Sequence, residues 1–166
     1  MSALTHLNHK GEAHMLDISD KAVSHRTAKA YAELRCSKEL VQLFDSGGLA
    51  KGDALCCARI AAIQAAKKTS ELIPLCHPLP LCKVELEFEL RPAEGLVQLW
   101  ASCKVTGQTG VEIEALTAVS IAALTLHDMG KAIDPAMVIG EIRLLEKTGG
   151  ASGHWLADAR TETSLW

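Results

Sequence analysis

Residues 83–106, KVELEFELRPAEGLVQLWASCKVT, decide the fold. Val84, Leu86, Phe88 and Leu90 alternate with Lys83, Glu85, Glu87 and Glu89, the period-two signature of a strand with one apolar and one solvated face. Pro92-Ala93-Glu94-Gly95 supplies a turn, and Leu96–Thr106 alternates again, so the stretch predicts an antiparallel hairpin.

Upstream of it, 53–72 (DALCCARIAAIQAAKKTSEL) predicts one long alanine-rich helix, capped by Asp53 and stopped before Pro74. Residues 37–46 predict a shorter helix with Ser37 as N-cap, closed by Gly47-Gly48. Before that, 27–36 alternates with Ala28, Ala30, Ala32 and Leu34 on one side, a strand pattern. Downstream, GQTG at 107–110 breaks the hairpin's second strand. Residues 111–133 then predict a helix apolar almost all round and therefore largely buried, and 137–147 a last strand. The order β-α-α-β-β-α-β is, one helix aside, the split β-α-β arrangement. The expected class is α+β, a ferredoxin-like sandwich with a four-stranded antiparallel sheet and helices on one face. Residues 1–14 read as a flexible N-terminal segment, 15–158 as a single α+β domain, and 159–166 as a mobile tail.

Composition narrows the function classes. At 48% hydrophobic and 22% charged the chain reads as globular, and with aromatics at only 4% its core must be filled by Ala, Leu, Ile and Val. The net charge of −3, with no basic run, gives no footing for nucleic acid, so an anionic ligand must be held by a few local cations. No apolar run approaches a membrane span, and the start lacks a signal-peptide core, which points to the cytoplasm. Six cysteines without a C-x-x-C pair read as reduced thiols, mostly buried as small hydrophobes.

Polar residues on buried helices stand out. In 111–133, Glu114, Thr117, Ile121, Thr125, Asp128 and Lys131 recur at three- and four-residue steps and share one stripe, with Asp128 and Lys131 near enough to pair. The plain alternative is a structural ion pair on an exposed edge. Glu114 and Asp128 lie about 21 Å apart along such a helix at 1.5 Å per residue. If both stripe ends serve one small ligand, a two-fold interface with an end from each subunit is the simplest solution. Lys67 extends the row Ile60, Ile63 and reads either as a snorkelling lysine or as an ammonium aimed into a pocket. Lys51, in the loop before that helix, either covers a cleft or is simply solvated.

The stretch ELIPLCHPLPLC, 71–82, sets Cys76 beside His77 and near Cys82. Adjacent side chains diverge in extended backbone, and no second ligand pair offers a metal spacing, which disfavours both zinc and a Cys-His nucleophile. A rigid loop fixed by Pro74, Pro78 and Pro80, presenting His77 and backbone polar groups to a ligand, is the favoured reading.

LIPLCHPL at 72–79, GVEIEALTA at 110–118, DMGKAID at 128–134 and LLEKTGGASG at 144–153 resemble the cyclic pyranopterin monophosphate synthase family (molybdenum cofactor biosynthesis protein C). Likeness at LTHLNHKGEAHMLDISDKAVSHR and KGDALCCARIAAIQAAKKT extends it over nearly the whole chain. The resemblance implies a homohexamer, a trimer of dimers with sites at the dimer interface. It implies a lyase that converts 3′,8-cyclo-7,8-dihydroguanosine triphosphate, supplied by an upstream radical S-adenosylmethionine enzyme, to cyclic pyranopterin monophosphate with loss of pyrophosphate. Asp128 matches the catalytic acid/base, and Lys51 and Lys131 match lysines of proton transfer or of the reacting centre. Leu75-Cys76-His77 and Ile113-Glu114 match substrate-contacting positions, and Lys67 and Arg26 match nearby cations. No tightly bound cofactor is implied; magnesium can accompany the phosphates. Ile113 stands for a usual Met, His127 for Tyr, Gly130 for Cys and Ala151 for Lys. The alternative reading is a non-catalytic oligomeric GTP-binding module in which the same cations grip the nucleotide.

Overall fold

A computed structural model describes residues 10–151 and 153–158. The elements are β1 (Ser24–Arg35), α1 (Lys38–Ser46), α2 (Ala54–Lys67), α3 (Thr69–Leu72), β2 (Lys83–Arg91), β3 (Leu96–Gly107), α4 (Glu112–Gly130), β4 (Val138–Thr148) and β5 (Trp155–Leu156). They form one sheet in the order β2-β3-β1-β4-β5, with every neighbouring pair antiparallel. The first four strands have the ferredoxin-like order, in which each helical crossover skips one strand. The two-residue β5, paired with Glu146 and Lys147, adds a fifth strand to the four expected. The expectations for residues 1–9 of the N-terminal segment and for the tail 159–166 lie outside the described residues.

The hairpin forms as its alternation dictates. Val84 faces Cys103, Leu86 faces Ala101, Phe88 faces Leu99 and Leu90 faces Val97, all toward the helices, while Glu85, Glu87 and Glu89 are exposed. On β1, Ala28, Ala30, Ala32 and Leu34 join that buried face. Helix α4 sits on it through Ala115, Ala118, Ala122 and Ala123, and α2 packs on α4 through Ala58, Ala62 and Ala66. The shortage of aromatics is thus met by close approach of small side chains. On the sheet's other face, Tyr31 is buried by Trp100, with ring centroids 5.3 Å apart, and by Arg143, 5.4 Å above its ring.

Several expectations need correction. The helix over 53–72 breaks at Lys68, where the Thr69 hydroxyl donates to the carbonyls of Ala65 and Ala66 at 3.2 and 3.0 Å and competes with the helical ladder. Helix α4 is buried on one side only, because Ile113 and Leu124 are exposed. Of the row holding Lys67, Ile63 packs against the core, but Ile60 is 53% exposed and Lys67 is exposed on the last turn of α2. All six cysteines are free thiols, but only Cys103 is fully buried; Cys56, Cys57 and Cys82 are exposed. Strand β4 is not regular. Its pairing with β1 slips twice, once leaving Leu145 as an extra residue and once around Glu141, which has φ 54°. Among the described residues no helix is long and apolar enough to cross a membrane.

The hairpin turn closes on a short helical turn, Pro92–Glu94, and Gly95, which has φ 65° and accepts a bond from the Cys36 N–H at 2.9 Å. A Cβ at Gly95 would meet the Cys36 carbonyl oxygen, which is backbone and cannot rotate away. Gly95→Ala should therefore destabilise the chain by about 2 kcal/mol or more, read as a lower urea midpoint at unchanged m value.

Candidate functional site

Helix α4 carries a cluster of polar and charged side chains at each end. Its first turn borders a cleft of about 390 Å³ lined by Leu75, Cys76 and His77 from the proline-rich loop, Thr109 and Gly110 from the turn after β3, and Glu112, Ile113 and Glu114. Leu16, Ile18 and Lys21 of the segment before β1 complete the wall. The loop does present His77 inward. Its Nε2 lies 2.8 Å from the Leu16 carbonyl, and since a carbonyl only accepts, Nε2 is the protonated nitrogen.

Glu114 is 4% exposed and has no ion-pair partner among the described residues. Burial raises its carboxyl above the ordinary 4.5, and the neighbouring Glu112 charge adds to this, against a bond from its own backbone N–H. Glu112 itself is paired with Lys147 at 2.9 Å. Burial, with both glutamates nearby, pushes the Cys76 thiol up, so it is no nucleophilic thiolate at neutral pH. Cys82 is exposed outside the cleft, and among the described residues no three His, Cys, Asp or Glu side chains gather as a metal would require. Arg26 stands at the same end of the sheet, donating through Nε to the Gly107 carbonyl at 3.1 Å. Its guanidinium lies where a Cβ on Gly150 would be, and Gly150 has φ 73°, a conformation that favours glycine.

At the far end of α4, Asp128 lies between two ammonium groups. Lys131 Nζ is 2.6 Å from Oδ1, and Lys51 Nζ is 3.8 Å from Oδ2 while donating to the Asp128 carbonyl at 2.8 Å. Bonding from Lys131, then its charge and that of Lys51, holds the Asp128 carboxyl below the ordinary 3.8. The two ammonium groups thus favour the ionised form of Asp128. The two ends of α4 pull their carboxylates in opposite directions: one toward the neutral acid, the other toward the anion.

Of the ten residues singled out from the sequence, five line the cleft, Arg26 stands beside it, and Lys51, Asp128 and Lys131 form the second cluster. Lys67 does not line the cleft. Glu112, Lys147 and Lys21 were missed. Glu112 lies two residues from Glu114, off the stripe that runs from Glu114 to Lys131, and Lys147 is out of phase with Leu144 of its strand.

These features define a ferredoxin-like α+β protein with acidic and basic clusters set at opposite ends of one buried-faced helix. A family model, the MoaC family, matches residues 15–150, and the chain belongs to that family. Membership assigns it to molybdenum cofactor biosynthesis. A solution NMR structure of a de novo designed protein with a ferredoxin fold overlays on it with a TM-score of 0.38 at 10% identity, over 84% of this chain and 93% of that one. At that score the fold assignment rests on this chain's own strand order.

The opposed shifts give two predictions. For Glu114 the folded value is raised, so its charge opposes folding at neutral pH, and the penalty fades as pH falls through that raised value. Glu114→Gln should raise Tm by about 2–4 °C at pH 7.5, with the gain shrinking as pH is lowered toward 4. For Asp128 the folded value is depressed; Lys131→Met should move its titration, followed by carboxyl-carbon NMR, upward toward 3.8.

Proposed function

We propose that the chain is the lyase that rearranges 3′,8-cyclo-7,8-dihydroguanosine triphosphate to cyclic pyranopterin monophosphate and expels pyrophosphate. The observation that carries this reading is the Asp128 carboxylate held between Lys51 and Lys131. Opening and rebuilding the purine-derived ring needs proton transfers at nitrogen and carbon. An anionic carboxylate flanked by ammonium groups offers a base and two acids within one hydrogen-bonded group. Closing the cyclic phosphate requires a sugar hydroxyl to attack the α-phosphorus, and lysines beside it would stabilise charge on the departing pyrophosphate.

The cleft at the other end suits recognition. Glu114, buried and short of partners, would accept N–H groups of the guanine-derived ring, and His77 Nε2–H is a donor. Leu75, Cys76 and Ile113 would contact the ligand from the loop and first helical turn, and Arg26 would supply a further positive charge. Lys67, exposed on α2, would join only if an assembly covers that face.

Glu114 and Asp128 are separated by about 21 Å of continuous helix, more than one such ligand spans. A complete site therefore draws one cluster from each of two copies, and the assembly would be a homo-oligomer, a trimer of dimers. Asp128 already holds two lysines and is a poor magnesium ligand, so any divalent cation would arrive with the phosphates; no tightly bound cofactor is needed. The substrate would come from an upstream radical S-adenosylmethionine enzyme.

Purified protein given the enzymatically made cyclic dihydro-GTP should release pyrophosphate and yield, after oxidation, a fluorescent pterin. Asp128→Asn should lower turnover by roughly 10²–10⁴-fold while binding persists; saturable binding with neither product would instead indicate a non-catalytic GTP-binding module. Mixing inactive Asp128→Asn and Glu114→Gln chains, after dissociation and reassociation, should restore about a quarter of wild-type activity. Failure of the mixture to recover would sink the two-copy site.

A further inference from the structure

One wall of the α4 cleft is a strap, Leu16–Lys21, that belongs to no strand or helix. It is ordered from within. The Asp17 carboxylate accepts from the Ser19 N–H at 2.9 Å and the Ser19 hydroxyl at 2.6 Å, and the Lys21 N–H reaches the Ile18 carbonyl at 3.0 Å. Side chains tie it to the cleft. Gln108 Nε2 donates to the Ser19 and Lys21 carbonyls, each at 3.0 Å, and His77 Nε2 donates to the Leu16 carbonyl at 2.8 Å. Ties of this kind open at far less expense than the fold itself.

The charges around the cleft are uneven. Glu112 is matched by Lys147 at 2.9 Å, whereas Lys21, which lines the same cleft, forms no ion pair with a described residue. The donor that would serve a ligand, His77 Nε2–H, is occupied by the strap. A ligand that takes this donor must displace Leu16, and an anionic one can offer Lys21 a partner in exchange.

We propose that Leu16–Lys21 is a closing wall, clamped by Gln108 and latched by His77, that opens to admit a nucleoside triphosphate and delivers Lys21 to its phosphates. This rests on the nucleotide reading above. Gln108 is a positioning residue, acting through the strap, and Lys21 is a ligand contact that discriminates a triphosphate from a bare nucleoside. The latch exchanges one bond for another: His77 passes from the Leu16 carbonyl to the ligand while the Lys21–phosphate contact takes over the hold on the strap.

The test uses the full chain, hydrogen–deuterium exchange by mass spectrometry, and calorimetric titration with GTP and with guanosine. Without ligand, Gln108→Ala should speed exchange at the strap amides by roughly tenfold and leave α4 unchanged. Gln108→Glu, similar in size but lacking the amide donors, should do the same. GTP should slow strap exchange in the wild type and guanosine should not. Lys21→Met should weaken GTP roughly 10- to 100-fold and leave guanosine affinity alone. Strap exchange indifferent to both Gln108 variants, or GTP bound without strap protection, overturns the closing wall; equal GTP affinity in Lys21→Met overturns the phosphate contact. If the wild type binds no GTP at all, the Lys21 role falls, while the ligand-free exchange still reports on the clamp and pyrophosphate release from the cyclic dihydro-GTP on the nucleotide reading.

Discussion

Alanine against alanine is the contact on which the rest of this molecule depends. Ala28, Ala30 and Ala32 line the central strand β1, and Ala115, Ala118 and Ala122 of α4 are wholly buried on it. Small residues on both sides let helix and sheet approach closely, and the second layer repeats the device with Ala58, Ala62 and Ala66 of α2. Side chains this short carry little freedom to adjust, so the seat of α4 is set by backbone shape. Both clusters inherit their positions from that one helix.

Its two ends are opposite environments made from similar groups. At the N-terminal end Glu114 is closed in beneath the cleft, and its carboxyl is raised by burial. At the C-terminal end Asp128 is in solvent between two lysines, and its carboxyl is lowered by them. A helix N-terminus favours negative charge, and Glu112 and Glu114 sit in that first turn, so desolvation outweighs the dipole at Glu114. Lys131 follows the last turn of α4, where cations are favoured. One helix thus keeps its neutral-leaning and its anion-leaning carboxylate apart by nearly its whole length.

Local rules made much of this legible. Strict alternation in 83–90 dictated the hairpin, and the Ser37 and Asp53 side chains cap α1 and α2 by accepting from Leu40 and Cys56 N–H groups. Three-residue spacing placed Lys131 beside Asp128. What was hidden depends on distant or irregular geometry. The hydroxyl of Thr69 turns back on its own helix, a choice no periodicity reveals. The outward face of α2 looks apolar in sequence because Ile60 interrupts it, yet in this chain it is uncovered. Lys21 is brought to the cleft by a strap without regular structure, held from a loop nearly ninety residues away.

Lys147 was hidden by something narrower, the extra residue at Leu145. Opposite residues in an antiparallel pair share a face, and Lys147 faces Ala28 just as Leu144 faces Ala30. Three positions apart, Leu144 and Lys147 would point to opposite sides of a regular strand. The bulge thus works as a parity switch on the register. It sends Arg143 outward to cover Tyr31 and, four residues later, turns Lys147 inward to meet Glu112. The same sequence paired without this slip would keep all its side chains and its pairing edge, yet would carry its ammonium on the wrong side of the sheet.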